Sequence, residues 1–222
     1  MLANLVDVIP TGVISIGPSQ TAPLNSVERE SQKARVDLWR TAFLLSESMF
    51  GSLVIRHARP GDGDGLARLW IDMCDYYADL APEHFQLPAR EGLIEWFEAD
   101  LTADPPDAIS LVGEVDGRIV GWIWAHILAP REDAHQQLLR ELSETRLVVE
   151  ALVVERPFWR QGIGTQLMRA VEDWASAKGA TLSTVDTYVH SPVSMPFYEH
   201  GMGYSPRRVT FQKRLPGASE PG

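Results

Sequence analysis

Cysteine is almost missing from this chain. Cys74 is the only one among 222 residues, so neither an intrachain disulfide nor a cysteine-rich zinc site can form. Such usage fits a reducing, cytoplasmic setting. Basic residues are also scarce: 20 Lys and Arg stand against 30 Asp and Glu, a formal net charge of -10. Nucleic-acid affinity comes largely from Lys and Arg neutralising phosphates, so no nucleic-acid partner is expected. A protonated amine fits an acidic surface better. No apolar run approaches the roughly 20 residues of a membrane helix, and no membrane partner is expected. The six histidines show no i, i+4 pairing and no H-E-x-x-H, which argues against a metal site. The apolar opening residues lack a basic start and are broken by Pro10 and Pro18, so they are not read as a signal peptide.

What is present is ordinary for a globular chain, with 45% hydrophobic and 23% charged residues. Residues 1–50 read as an N-terminal extension, partly helical or disordered. In it Pro, Gly, Ser and Thr interrupt short apolar stretches before a helical pattern at Val36, Trp39, Phe43 and Leu44. Residues 51–216 carry the regular patterning, and residues 217–222 read as a flexible tail. Leu53–Arg56 predicts a strand. Leu66, Leu69, Trp70, Met73, Cys74 and Tyr77 mark one face of a helix, and a second helix is expected from Pro82 to Asp100. Ile109–Val115 and Arg118–Ile127 predict two strands around Asp116-Gly117, the strongest short hairpin signal. Pro130–Leu142 reads as a short polar helix. Leu147–Val154 is a nearly unbroken apolar run, the pattern of a strand buried on both faces. A glycine loop leads into a helix ended by Gly179. Thr181–Val189 predicts a strand, Met195–His200 a short helix, and Val209–Arg214 a closing strand. The whole is a mixed α/β pattern.

The chemistry concentrates in Leu152–Thr165, LVVERPFWRQGIGT. A strand ends, a turn containing Gly162 and Gly164 follows, and a helix begins. The first turn of a helix leaves backbone N–H groups unpaired, and with the helix dipole they bind anions. Glycines there let the backbone approach a pyrophosphate. The dinucleotide fingerprint would need a third glycine where Leu167 stands, and the Gly-Lys-Ser/Thr of an ATP loop is absent. A coenzyme A pyrophosphate loop and a plain strand-to-helix turn remain.

From Leu53 to Arg214 the sequence resembles the GNAT N-acetyltransferase superfamily. The family pattern Q/R-x-x-G-x-G/A is matched at Gly162 and Gly164, with Trp159 at its first position and Arg160 one residue further on. The Asp116-Gly117 hairpin and the segment Phe197 to Tyr204 belong to the same resemblance; an Asn often found six residues before the Phe is Ser191 here. The resemblance implies a central, predominantly antiparallel sheet with one parallel, splayed strand pair and helices on both faces. It implies acetyl-CoA as co-substrate, its pantetheine arm along the backbone of Leu152, Val153 and Val154. The pyrophosphate then falls on Arg160, Gln161, Gly162, Ile163, Gly164 and Thr165, with a weaker contact at Ser191. It makes Tyr198 the acid for the leaving thiolate, against the alternative that it only packs.

Glu150 is the candidate base, a carboxylate inside an apolar run where burial raises a pKa; the alternative is that it faces the sheet edge or pairs with Arg146. Glu155, at the strand end, is the lesser candidate. Cys74, on an apolar helix face, reads as packing. Trp122 and Trp124 read as core, or as an acceptor pocket with Tyr76 and Tyr77. Three functions are consistent with these residues: acetyl transfer from acetyl-CoA to a small-molecule amine in a ternary complex, acetyl transfer to a protein or peptide, and non-catalytic binding of an acyl-CoA. A homodimer is also compatible.

Overall fold

Asp116 and Gly117 both adopt positive φ, 50° and 79°, the two left-handed positions that a tight hairpin turn requires. The hairpin they close is the centre of the sheet. In the computed structural model, which describes residues 52–103 and 105–213, β1 (Leu53–His57), β2 (Ala108–Val115), β3 (Arg118–Leu128), β4 (Arg146–Val154) and β5 (Leu182–Val185) lie side by side in chain order. β1 to β4 are antiparallel to their neighbours, and β4 and β5 run parallel. This is the mixed sheet with one parallel pair that the sequence predicts. The expected extension over residues 1–50, its helix and the tail at 217–222 lie outside the described residues.

Helices cover both faces. α1 (Gly63–Leu80) and α2 (Leu93–Ala103) pack on one side, where Leu66, Leu69 and Phe97 meet Val112, Trp122 and Val153. α3 (Ile163–Ala177) packs on the other, where Leu167, Met168 and Val171 meet Val120, Ile123 and Leu147. Each fully buried aliphatic side chain contributes about 1.5–3 kcal/mol of transfer free energy. The α1 side is aromatic: Trp70 touches Trp96, Phe97 and Trp122 at ring separations of 6.2–6.4 Å. Trp122 is a core residue, 4% exposed, with its indole N–H on the Ser110 hydroxyl.

Four sequence expectations are corrected. The second helix begins at Leu93, not Pro82, because Pro88 and Gly92 lie inside the expected span and break it. Pro130–Leu142 forms no helix but holds two 3₁₀ turns, at Ala134–Gln136 and at Arg140–Ser143. β5 is four residues, not nine. The stretch from Val209 to Lys213 is not a strand; it has no regular structure, and Val209 and Phe211 face solvent. Its β-branched and aromatic residues favour a pleated, half-buried surface, and none is offered to it. Just before it, Arg207 and Arg208 bond the carboxylate of Glu141, which is itself buried.

β4 is not buried evenly either. Trp124 pairs with Ala151 and Ala125 with Val149, so Glu150 stands in a β-bulge without a partner on β3. Before the bulge, Leu147 and Val149 face the α3 core; after it, Leu152 and Val154 do, and Ala151 and Val153 turn to the α1 core. The phase of the strand slips by one. The pairing with β5 ends at the same place, at Val149 opposite Val185.

Candidate active site

From Glu150 to Val154 the β5 side of β4 has no strand on it, and a cleft of about 640 Å³ opens there. Its floor is Leu152, Val153 and Val154. One end is the loop from Arg160 to Thr165, and the walls come from α1 and from the segment that follows β5.

The loop is built as its glycines allow. Gly162 is the N-cap of α3 with φ 82°, and no side chain caps that helix. The first N–H groups of α3 are therefore directed into the cleft without a protein partner of the capping kind. A Cβ on Gly164 would meet the ring of Phe197 at 3.5 Å, so a side chain there would fill the space above the helix start. Arg160 takes φ 62°, an uncommon conformation for a residue with a Cβ.

Trp159 stands where the family pattern has Gln or Arg. Its indole N–H bonds the carbonyl of Val154, and its ring meets Tyr76 edge-on at 5.5 Å. Arg156 lies over the same tyrosine, 5.9 Å from its ring centre, and pairs with Asp72 at 3.2 Å and Asp75 at 3.1 Å. The loop is thus fastened to α1. The carboxylates of Asp72 and Asp75 are thereby paired with Arg156.

On the far wall, Ser194–Pro196 makes one helical turn that widens into a π-helical turn at Phe197–Gly201. π-Turns recur at functional sites, and this one carries Tyr198 into the cleft. Burial, with the neighbouring Tyr77 and Tyr204 phenols, pushes the Tyr198 hydroxyl well above its ordinary pKa. Tyr198 therefore holds its proton throughout the neutral range.

Of the residues singled out in the sequence, Leu152 to Val154, Arg160, Gly162 to Thr165 and Tyr198 all line this cleft. Three do not. Gln161 turns back to the Pro157 carbonyl. Ser191, 2% exposed, spends its hydroxyl on Ser194 and Tyr76. Glu150 is on the α1 face at the bulge, partly open to solvent and 3.6 Å from Nδ1 of His126. It is not enclosed as an apolar run would imply, because the bulge lifts it out of the regular alternation. Glu155 is tied to Arg118 and Arg68; the Arg118 hydrogen bond outweighs burial and holds its carboxyl below the usual range. That leaves it poor as a base. Cys74 is half-buried, and burial raises its thiol pKa, as expected of a packing residue.

The sequence missed the reach of α1. Tyr76 and Tyr77 both line the cleft, but not with Trp122 and Trp124. Tyr76 bonds Ser191 across the cleft at 3.2 Å, and Tyr77 bonds Ser194 at 3.0 Å and Thr187 at 3.3 Å. These contacts join residues more than a hundred positions apart, a separation that no local pattern signals. Among the described residues no group of side chains is arranged to hold a metal ion, and no helix is long and apolar enough to cross a membrane.

An elongated apolar cleft, a free strand edge along its floor and unpaired N–H groups at one end suit a ligand with an amide-bearing arm and an anionic group. The model of the acetyltransferase (GNAT) family matches residues 70–204. No curated protein matches the chain in sequence. Among solved structures, a mutant of the BH1408 protein from Bacillus halodurans is 18% identical with a TM-score of 0.63, covering 73% of this chain and 99% of its own. Aminoglycoside N-acetyltransferase AAC(6')-Iy in complex with CoA is 19% identical, TM-score 0.51, covering 74% and 96%. An aminoglycoside acetyltransferase from an uncultured soil metagenomic sample, in complex with sisomicin, is 18% identical, TM-score 0.50, covering 73% and 96%. At these identities the likeness is one of fold.

Proposed function

This chain belongs to the GNAT acetyltransferase family, and from that premise we propose that it moves an acetyl group from acetyl-CoA to the primary amine of a small molecule. The observation that carries the proposal is the cleft itself. It opens where β4 leaves β5, and the unpaired edge of β4 runs straight to the uncapped start of α3. Acetyl-CoA fits the residues present. The free backbone of Leu152 to Val154 suits the amides of a pantetheine arm, and the start of α3 suits a pyrophosphate. The bare Cα of Gly164 leaves room for it beside Phe197. Bound there, the coenzyme supplies an activated thioester.

The chain's own part is to position and to move protons. Two reactants held in line gain an advantage equivalent to a high local concentration. A backbone N–H on the free edge of β4 stabilises charge developing on the carbonyl oxygen. Tyr198 is the group that hands a proton to the departing sulfur. Glu150, which does not line the cleft itself, takes the amine's proton through a bridging water. The net charge of -10 favours approach of a cationic acceptor. Two neighbours in fold that are aminoglycoside acetyltransferases support an amine as acceptor.

The test is coenzyme A release from acetyl-CoA, followed with a thiol reagent across amines, amino acids, aminoglycosides and peptides. Release stimulated by a small amine is the expected result. Release by peptides alone would shift the acceptor class. Acetyl-CoA raising the melting temperature with no release from any acceptor would leave a binding module instead.

A further inference from the structure

The bulge in β4 turns Glu150 toward a histidine. Regular pairing would set Glu150 opposite Trp124. Ala151 takes that place, and Glu150 is left over between the residues that face Ala125 and Trp124. Bulges re-aim the side chain they carry. Here a carboxylate oxygen of Glu150 comes to 3.6 Å from Nδ1 of His126, which lies two residues along β3 from Trp124 and so on the same face. The imidazole is held from both sides of its own strand position: the Trp124 ring lies 5.6 Å from it, tilted by 44°, and its backbone pairs with Val148.

Nδ1 of His126 is buried and makes no hydrogen bond at that distance. A buried nitrogen left unpaired is costly. Among the described residues neither the His126 nor the Glu150 side chain has another ion-pair or hydrogen-bond partner. A bare lone pair on Nδ1 would repel the carboxylate, whereas an N–H there donates to it. A base that works through a water has to be held in one orientation, and His126 is the one described side chain that reaches Glu150 to do so. We propose that His126 is a positioning residue, whose Nδ1–H fixes the Glu150 carboxylate in the orientation from which it takes the acceptor's proton. The inference rests on the acyltransferase reading above. His126 neither gains nor loses a proton in the cycle; the pair closes from 3.6 Å to hydrogen-bond distance as the reactants assemble. A pair that only braced the sheet would contribute little here, since the two side chains are 20% and 28% exposed.

The experiment compares His126→Phe, which keeps a ring against Trp124 and removes the donor, with His126→Asn, whose amide nitrogen takes the place of Nδ1. The expected result is a fall in kcat of about tenfold or more for H126F, with the KM for acetyl-CoA and the melting temperature unchanged, and with most of the rate kept in H126N. Glu150→Ala should be slower still, and the H126F/E150A double variant no slower than E150A, since His126 acts only through Glu150. Imidazole ¹⁵N NMR of the coenzyme-free protein, with the ring neutral, gives a readout independent of turnover: the proton should reside on Nδ1 in the wild type and leave it in E150A. An unprotonated Nδ1 in the wild type, H126F and H126N slowed alike, or losses that add in the double variant would overturn the positioning role. A wild type that releases no coenzyme A with any acceptor defeats the acyltransferase reading, and the role within it. A wild type that turns over beside an undiminished H126F defeats the positioning role alone.

Discussion

β4 is one strand with two lives. Its first half, Arg146 to Val149, is hydrogen-bonded to β3 on one side and β5 on the other, and its inward side chains, Leu147 and Val149, are 1% and 3% exposed. Its second half, from Glu150 on, keeps β3 but loses β5, and its backbone becomes the floor of the cleft. The composition hardly changes between the halves. What changes is one extra residue in the bulge and the end of one neighbour. The same apolar side chains stabilise the fold in the first case and shape a binding surface in the second, so a strand's role is set by what lies across from it.

The comparison predicts that substitutions in the two halves part company. Leu147→Ala, in the closed half, should cost about 2–5 kcal/mol of stability, since a fully buried leucine leaves a cavity. Thermal and urea melts should register it, while turnover per folded molecule stays near the wild type. A stability loss below about 1 kcal/mol would mean that the closed half is not core. Tyr198→Phe, beside the open half, should do the reverse. Turnover should fall about a hundredfold through loss of the proton donor, with the melting temperature intact. Equal losses of both would erase the distinction.

The smallest expected effect concerns how the open half ends. Glu155 follows it directly, keeps a backbone hydrogen bond to Val120 of β3 and is tied by its carboxylate to Arg118 and Arg68. The Arg118 bond is the largest influence on its carboxyl; burial opposes it and Arg68 assists it, and the folded value ends below the usual one. A group depressed on folding stabilises the fold above its unfolded pKa and loses that contribution as the pH falls through the folded value. The melting temperature should therefore decline below about pH 4.3, and Glu155→Gln should flatten that acid limb without altering the melting temperature's order among the variants above.

The features legible in the sequence were those that local chemistry dictates. Asp116-Gly117 permits a left-handed turn. Gly162 permits the left-handed backbone at the start of α3, and Gly164 leaves the space beside Phe197 clear. The periodicity of Ile163, Leu167, Met168 and Val171 fixes the inner face of α3. The features that escaped depend on partners far along the chain. The bulge at Glu150 is hidden because an apolar run carries no alternation to break. Ser191, read against a family position for a coenzyme contact, is spent on Tyr76 more than a hundred residues away. The Val209 to Lys213 stretch has strand-forming residues, yet nothing in its own composition says whether an edge is available to receive it.

The sheet's strands lie in the order in which the chain makes them. That bears on assembly as well as on shape. Neighbours joined by short sequence separations close with little entropy, so β2 and β3 can meet first across their two-residue turn. β5 returns only after the whole of α3, as a crossover. The cleft exists only once that return is complete. A chain halted before it would hold most of its hydrophobic interior but lack the wall of the site that carries Tyr198, and recovery of activity during refolding should lag behind recovery of the tryptophan signal from Trp70, Trp96 and Trp122.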